Sequence, residues 1–281
     1  MLMDKPNASR RHPVCFHHRY VWIKIIAGAL LLLFSNLSFA IDLSKAEAGR
    51  IGRKIWQNES GGTIAGLTAW NTGENFASLG IGHFIWYPKN QRGPFAESFP
   101  KFVSFAAAHS ARLPAILKRP GASECPWNSR EEFLHSKNSA DMIALREFLT
   151  HTIDLQAQFM VQRLQEALPK MLEEAPSSAR PGIKENFEKV AANAQGIYAL
   201  VDYVNFKGEG TLATERYRGQ GWGLLQVLEG MSDDSSNSAT KNFAQSAKIV
   251  LNRRVHNSPP ERKESRWLPG WLNRIKTYTT D

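Results

Sequence analysis

From Ser44 onward, apolar side chains recur at helical intervals, with Ala48, Ile51, Ile55 and Trp56 falling on one face. Ser44 and Glu47 stand at capping-box spacing, where a hydroxyl and a carboxylate satisfy amides that a first helical turn leaves free. Gly61-Gly62 supplies a stop. The pattern predicts a helix over 45–60 with Glu59 in its last turn. From Leu67 to Tyr87 the period changes to alternation, with Asn71-Thr72-Gly73 as a turn and Phe76 to Trp86 as a returning strand. Gly80 and Gly82 interrupt that strand, and in a strand glycine marks close approach by a backbone or a ligand. Ser78, Gly80 and Gly82 would share one bare face, and Leu79, Ile81 and His83 the other.

Beyond Pro88 the apolar spacing is helical and offers no further strand. Helices are expected over 98–109, 129–136, 139–149, 151–173, 183–193, 196–206, 220–230, 239–254 and 269–278. The polar stretches Ser232–Ser238 and Asn257–Arg266 are too short to link domains. No internal repeat, heptad run or phosphate-binding glycine loop is present. The expected fold class is α+β, mainly α, with a small β-hairpin lobe against a larger helical lobe.

The first forty residues change the picture. A basic lead (Arg10, Arg11, Arg19, Lys24) runs into the apolar stretch from Ile25 to Phe34, too short to span a bilayer comfortably, and Ser38-Phe39-Ala40 provides small residues for cleavage. Residues 1–40 read as a signal peptide cleaved after Ala40, leaving a single domain over 41–281. Membrane contact is then confined to the leader before cleavage, and the product is periplasmic or secreted. Removing the leader takes away five Lys/Arg and one Asp, which leaves +5 of the formal +9. A basic exported protein is biased toward polyanions, and export favours the bacterial wall among them. Cys15 leaves with the leader, so Cys125 is alone and packing must stabilise the fold.

The candidate chemistry is carboxylic. At the end of the predicted helix the backbone carries partial negative charge, which disfavours a further anion, and apolar Ile55 and Trp56 lie one turn back. A carboxyl that keeps its proton is what a general acid requires, so Glu59 is the candidate acid. Glu74, just after the predicted turn, is the candidate second carboxylate. Glu209, in the turn Phe206-Lys-Gly-Glu-Gly210, is a candidate cleft-lining group. Trp70 and Tyr87 are candidate stacking platforms for a flat apolar face of a ligand, and Gly80 and Gly82 leave room for a substrate. His83 reads as a structural histidine paired to an acid on the helical lobe. The other mature histidines show no ligand spacing, so neither a metal nor another cofactor is expected.

The run Ser78-Leu-Gly-Ile-Gly-His83, following a helix-borne Glu, resembles the phage-type lysozymes (muramidases) of the lysozyme-like superfamily. The resemblance implies Glu59 as general acid and Ser78 in place of the family's threonine, with Gly80-Ile81-Gly82-His83 intact. Where the family has its catalytic Asp this chain has Thr72, and Glu74 is the nearest substitute. The motif covers about 45 residues; 196–212, Asn252-Arg-Arg254 and Trp267-Leu-Pro-Gly-Trp-Leu-Asn-Arg274 are similar to later helical parts of that family.

Two mechanisms are compatible with these residues. A water held between Glu59 and Glu74, with help from Ser78, gives inversion. Glu59 acting alone gives a lytic transglycosylase, in which a sugar hydroxyl closes an anhydro ring. The expected protein is a monomeric, exported, glycan-cleaving enzyme acting on peptidoglycan. The alternatives are a chitosan- or chitin-type glycosidase and a non-catalytic wall-binding module of the same fold. Nucleic acid is not an expected partner, because the basic residues are scattered and no reader motif accompanies them.

Overall fold

The computed structural model describes residues 40–280, apart from 94, 120, 122 and 123. The expected leader lies outside the described residues. Helix α1 spans Lys45–Ser60 and carries the capping box: Glu47 N–H donates to Ser44 Oγ (3.3 Å) and Ser44 N–H to Glu47 Oε2 (3.0 Å). Gly61 ends it in the left-handed region, its N–H returning to Gln57 O at 3.0 Å.

The next segment differs from the expected hairpin. Three short antiparallel strands form, β1 (Thr68–Ala69), β2 (Ala77–Leu79) and β3 (Phe84–Trp86), in the order β1-β2-β3, with Ser78 opposite Ala69 and Ile85. Gly80-Ile81-Gly82-His83 is the turn between β2 and β3, not part of one long strand. Gly80 at φ +71° and His83 at φ +47° reverse the chain there. Such angles do not belong to a strand, and alternation could not reveal them because glycine has no side chain to register a face.

The remainder is helical: α2 (Phe99–Ala108), α3 (Arg130–His135), α4 (Ala140–His151), α5 (Ile153–Glu174), α6 (Arg180–Val190) and α7 (Ala194–Lys207). A two-stranded ribbon follows, β4 (Arg216–Tyr217) and β5 (Gln220–Gly221), where no strand was expected. Then come α8 (Leu224–Glu229), α9 (Ala239–Asn257) and α10 (Leu268–Lys276). The chain is thus mainly helical with a small antiparallel sheet.

Helix α7 is buried on nearly every side and is the axis of the helical part; α1, α5, α8 and α9 pack against it. Helix α1 lies close on α5, because a Cβ at Gly52 would stand 2.6 Å from Ile153 Cγ2 and 2.8 Å from the Ile153 carbonyl. The sheet is anchored through Phe84, stacked on Phe102 of α2 (5.2 Å) and edge-on to Phe159 of α5 (5.4 Å). These contacts bring the β2–β3 turn to the C-terminal end of α1. Cys125 is buried, and burial pushes its thiol up to about 12, which makes it an inert packing residue.

Candidate functional site

Three distant parts of the chain converge on Glu59. Its Oε1 accepts hydrogen bonds from Arg274 of α10 and from Asn205 Nδ2 of α7 (3.2 Å). Its Oε2 faces His83 Nδ1 in the β2–β3 turn at 3.6 Å. The Glu59 side chain is 13% exposed and that of His83 31%, so the carboxyl is half enclosed and reachable from the His83 side. The His83 expectation named an acid on the helical lobe as its partner, and the acid facing it is Glu59. The positive charge of Arg274 meets the negative end of α1 at this carboxyl, so the helix end is not the only field acting there.

Behind Glu59 lies a buried network that holds Arg274. Asp202 of α7 has no exposed surface and accepts from Arg274 Nε (Oδ2, 2.7 Å) and Nη2 (Oδ1, 2.9 Å), from Tyr278 Oη (2.7 Å) and from Asn58 Nδ2 (3.1 Å). Burial alone would lower the Arg274 pKa; the Asp202 carboxylate, with Glu59 beside it, drives it upward instead. Burial and the same carboxylate push the Tyr278 phenol well up. Asn58 also donates to Tyr198 Oη at 2.8 Å, tying the residue before Glu59 to α7. Asp202 thus fixes the guanidinium, and the guanidinium fixes Glu59.

Lys207, at the end of α7, is 8% exposed, with its Nζ 3.3 Å from the Trp271 ring centre and 3.8 Å from that of Phe206. Burial pushes its pKa down to about 6; Arg254 and Arg274 push the same way, against Glu264 and Glu59. The sign follows from which state binds the proton. The unfolded lysine binds it near 10.5 and the folded one near 6, so between those values folding expels a proton and stability rises with pH. The aromatic faces favour the ammonium and temper this. Lys207→Met is therefore expected to raise the melting temperature at pH 7 by roughly 2–4 °C, about 1 kcal/mol for a domain of this size. The gain over wild type should shrink by pH 9, read by thermal melts at both pH values; a loss at pH 7 would show that the cation–aromatic contact dominates.

The other expected site residues fall elsewhere. Glu74 is held inside its own turn: Asn71 Nδ2 donates to its Oε2 (3.1 Å), and Trp70 Nε1 to its backbone carbonyl (2.8 Å). Neither contact links it to Glu59. Trp70 is 5% exposed and sits edge-on to Phe133, and Tyr87 is 1% exposed and edge-on to Phe76. Both are core residues without a free ring face, which corrects the stacking role expected of them. Ser78 is buried in the central strand, so the position does not offer an open hydroxyl to hold a water.

Gly80 and Gly82 are buried as well, and the close neighbour is protein rather than substrate. A Cβ at Gly80 would stand 2.3 Å from Gln156 Oε1, the same oxygen that accepts from Ile81 N–H at 2.8 Å. One at Gly82 would stand 2.6 Å from Phe84 Cε1.

Glu209 lies beside open space. With Arg163, Asn205 and Glu215 it lines a cavity of about 240 Å³. With Arg163, Lys101 and Glu97 it lines a neighbouring one of about 430 Å³. Asn205 belongs both to the first cavity and to the Glu59 cluster, whereas Glu59 and His83 do not line that cavity. A larger cavity of about 870 Å³ lies at Lys45, at the opposite end of α1, about 21 Å of helix away from Glu59. It holds His109 and His151, each with Nδ1 bonded to the carbonyl one turn earlier, Phe105 O (2.8 Å) and Glu147 O (2.7 Å). Among the described residues no group of three or more His, Cys, Asp or Glu is placed to hold a metal ion.

No protein-family model, no curated protein and no solved structure matches the chain. The resemblance to phage-type lysozymes therefore stands on the residues themselves.

Proposed function

We propose that the chain is an exported enzyme that cleaves the glycan strand of bacterial peptidoglycan, with a lysozyme-like arrangement and Glu59 as its proton donor. The observation that carries this reading is the placement of Glu59: a half-enclosed carboxyl at a helix end, facing the Gly80–His83 turn and fixed by Arg274 and Asn205. A solvated helix-end glutamate would need none of these partners.

The two oxygens of Glu59 differ. Oε1 is occupied by two donors, so Oε2, on the His83 side, is the oxygen through which a proton would pass to a substrate. Delivered to the glycosidic oxygen, that proton lets the bond from the anomeric carbon to the leaving sugar break. Glu74, tied into its own turn, is poorly placed to supply a second carboxylate. The reading favoured here is the lytic transglycosylase. The hydroxyl on C6 of the same sugar attacks the anomeric carbon, its proton passes to the Glu59 carboxylate, and a 1,6-anhydro ring closes. Glu59 is thereby reprotonated without water.

The test is release of soluble fragments from purified peptidoglycan, with chitosan and chitin assayed in parallel. Peptidoglycan is expected to be the substrate cleaved; release from chitosan or chitin alone would move the assignment to those polymers. Glu74→Gln is expected to change the rate less than about threefold, against the roughly 10²–10⁴-fold cost of losing a general acid or base. Loss of activity in Glu74→Gln would instead assign a two-carboxylate hydrolase.

A further inference from the structure

With Trp70 and Tyr87 in the core, the glycan has no aromatic platform among the residues the motif suggests. The chain presents a different one. Trp267, Trp271 and Arg274 recur at intervals of four and three at the start of and along α10, which puts all three on one helix face. Arg274 ends that row at Glu59. Trp267 begins it and is 42% exposed, among the largest exposed apolar side chains of the described residues. The indoles are tilted by 31° to each other, with centres 6.3 Å apart.

Each ring is backed by a cation: Arg266 Cζ lies 4.5 Å from the Trp267 centre, and Arg254 Cζ 5.0 Å from that of Trp271. Phe206 sits edge-on to Trp271 at 6.3 Å and carries Arg274 Cζ at 4.3 Å, so the aromatic contacts run on without a break to the guanidinium that holds Glu59. Along the helix axis Trp267 is about 10 Å from Arg274, a distance of saccharide size.

We propose that Trp267, backed by Trp271, is a glycan-binding platform: the apolar face of a pyranose stacks on the exposed indole and aligns the strand toward Glu59. The inference rests on the glycan reading above and adds the subsite. An indole suits this task because it offers a large flat apolar face at little conformational cost. Backing by a cation on one side and a second indole beside it holds the ring in place for a ligand. A lone exposed Trp on a monomer needs no explanation, but one that heads an unbroken aromatic row to a fixed carboxyl fits a polymer that must be laid across it.

The experiment is cosedimentation of the full chain with insoluble peptidoglycan in the cold, for wild type, Trp267→Ala, Trp267→Gln and Trp267→Phe. Fragment release is measured separately, and melting temperature reports folding. Trp267→Ala and Trp267→Gln are expected to bind about five- to tenfold more weakly at unchanged melting temperature, and Trp267→Phe to keep most of the affinity. Fragment release at low substrate should fall in parallel while the saturated rate holds. Equal retention of all four proteins would overturn the platform, and if wild type still releases fragments the enzymatic reading survives that loss. Weaker retention of the variants with no release by wild type would keep the platform and end the enzymatic reading. Retention on vesicles of anionic lipid, lost in Trp267→Ala without any change on peptidoglycan, would assign Trp267 to a membrane surface and overturn the proposal.

Discussion

Asp202→Ala is expected to destabilise the fold by about 3–5 kcal/mol, the range found when one partner of a buried ion pair is removed. The reason is the company this carboxylate keeps. Asp202 is fully buried in an apolar stretch of α7 and accepts from Arg274 twice, from Tyr278 and from Asn58. Its loss leaves a guanidinium whose side chain is 11% exposed with only Glu59 for an anionic partner, and leaves the Tyr278 hydroxyl without its acceptor. Urea unfolding measures this as a lower midpoint at unchanged slope. Tyr278→Phe removes one hydrogen bond of the same network and should cost about 1–3 kcal/mol, because the charged acceptor stays behind. A loss below about 1 kcal/mol in Asp202→Ala would mean that water replaces the carboxylate and that the network does not fix Arg274.

The largest expected effect on activity is that of Glu59→Gln: fragment release should fall about 10²–10⁴-fold, the usual contribution of a positioned general acid. The fold should survive, because the amide oxygen can still accept from Arg274 and Asn205 and because Arg274 keeps its bonds to Asp202. Activity and stability therefore separate across the cluster: Glu59→Gln stops release at a melting temperature near that of wild type, whereas Asp202→Ala loses both. A glutamine variant that melts normally and still releases fragments at the wild-type rate would remove Glu59 from the chemistry.

How much of this was legible in the sequence differs from element to element. Helix α1 was legible in full, since the cap at Ser44 and Glu47, the buried face through Ile51 and Ile55 and the glycine stop are all local signals. So was the position of Glu59 in the last turn. Most of the later helices declare themselves by apolar period, whereas β4 and β5, two residues each, are too short to show one. The Gly80–His83 turn was hidden because alternation fails at glycine. Residue type does not decide whether an aromatic ring lies in the core or at the rim, so the sequence does not separate the buried Trp70 and Tyr87 from the exposed Trp267.

The support of Glu59 was hidden for another reason. Arg274 is 215 positions away in the chain, and no local rule pairs residues at that distance. One signal was available: Asp202 lies in the apolar run Ala199-Leu-Val-Asp-Tyr-Val204, and a carboxylate buried on such a helix requires a charged or hydrogen-bonding partner. That requirement predicts a missing cation, and Arg274 is the residue that meets it.

Whether Glu59 cleaves a glycan is read from the mass of the products released from purified peptidoglycan by the wild-type chain and by Glu59→Gln. Soluble muropeptides carrying 1,6-anhydro ends are expected from the wild type and none above background from the variant. Soluble fragments in equal amount from both proteins, or none from either, would contradict cleavage by Glu59.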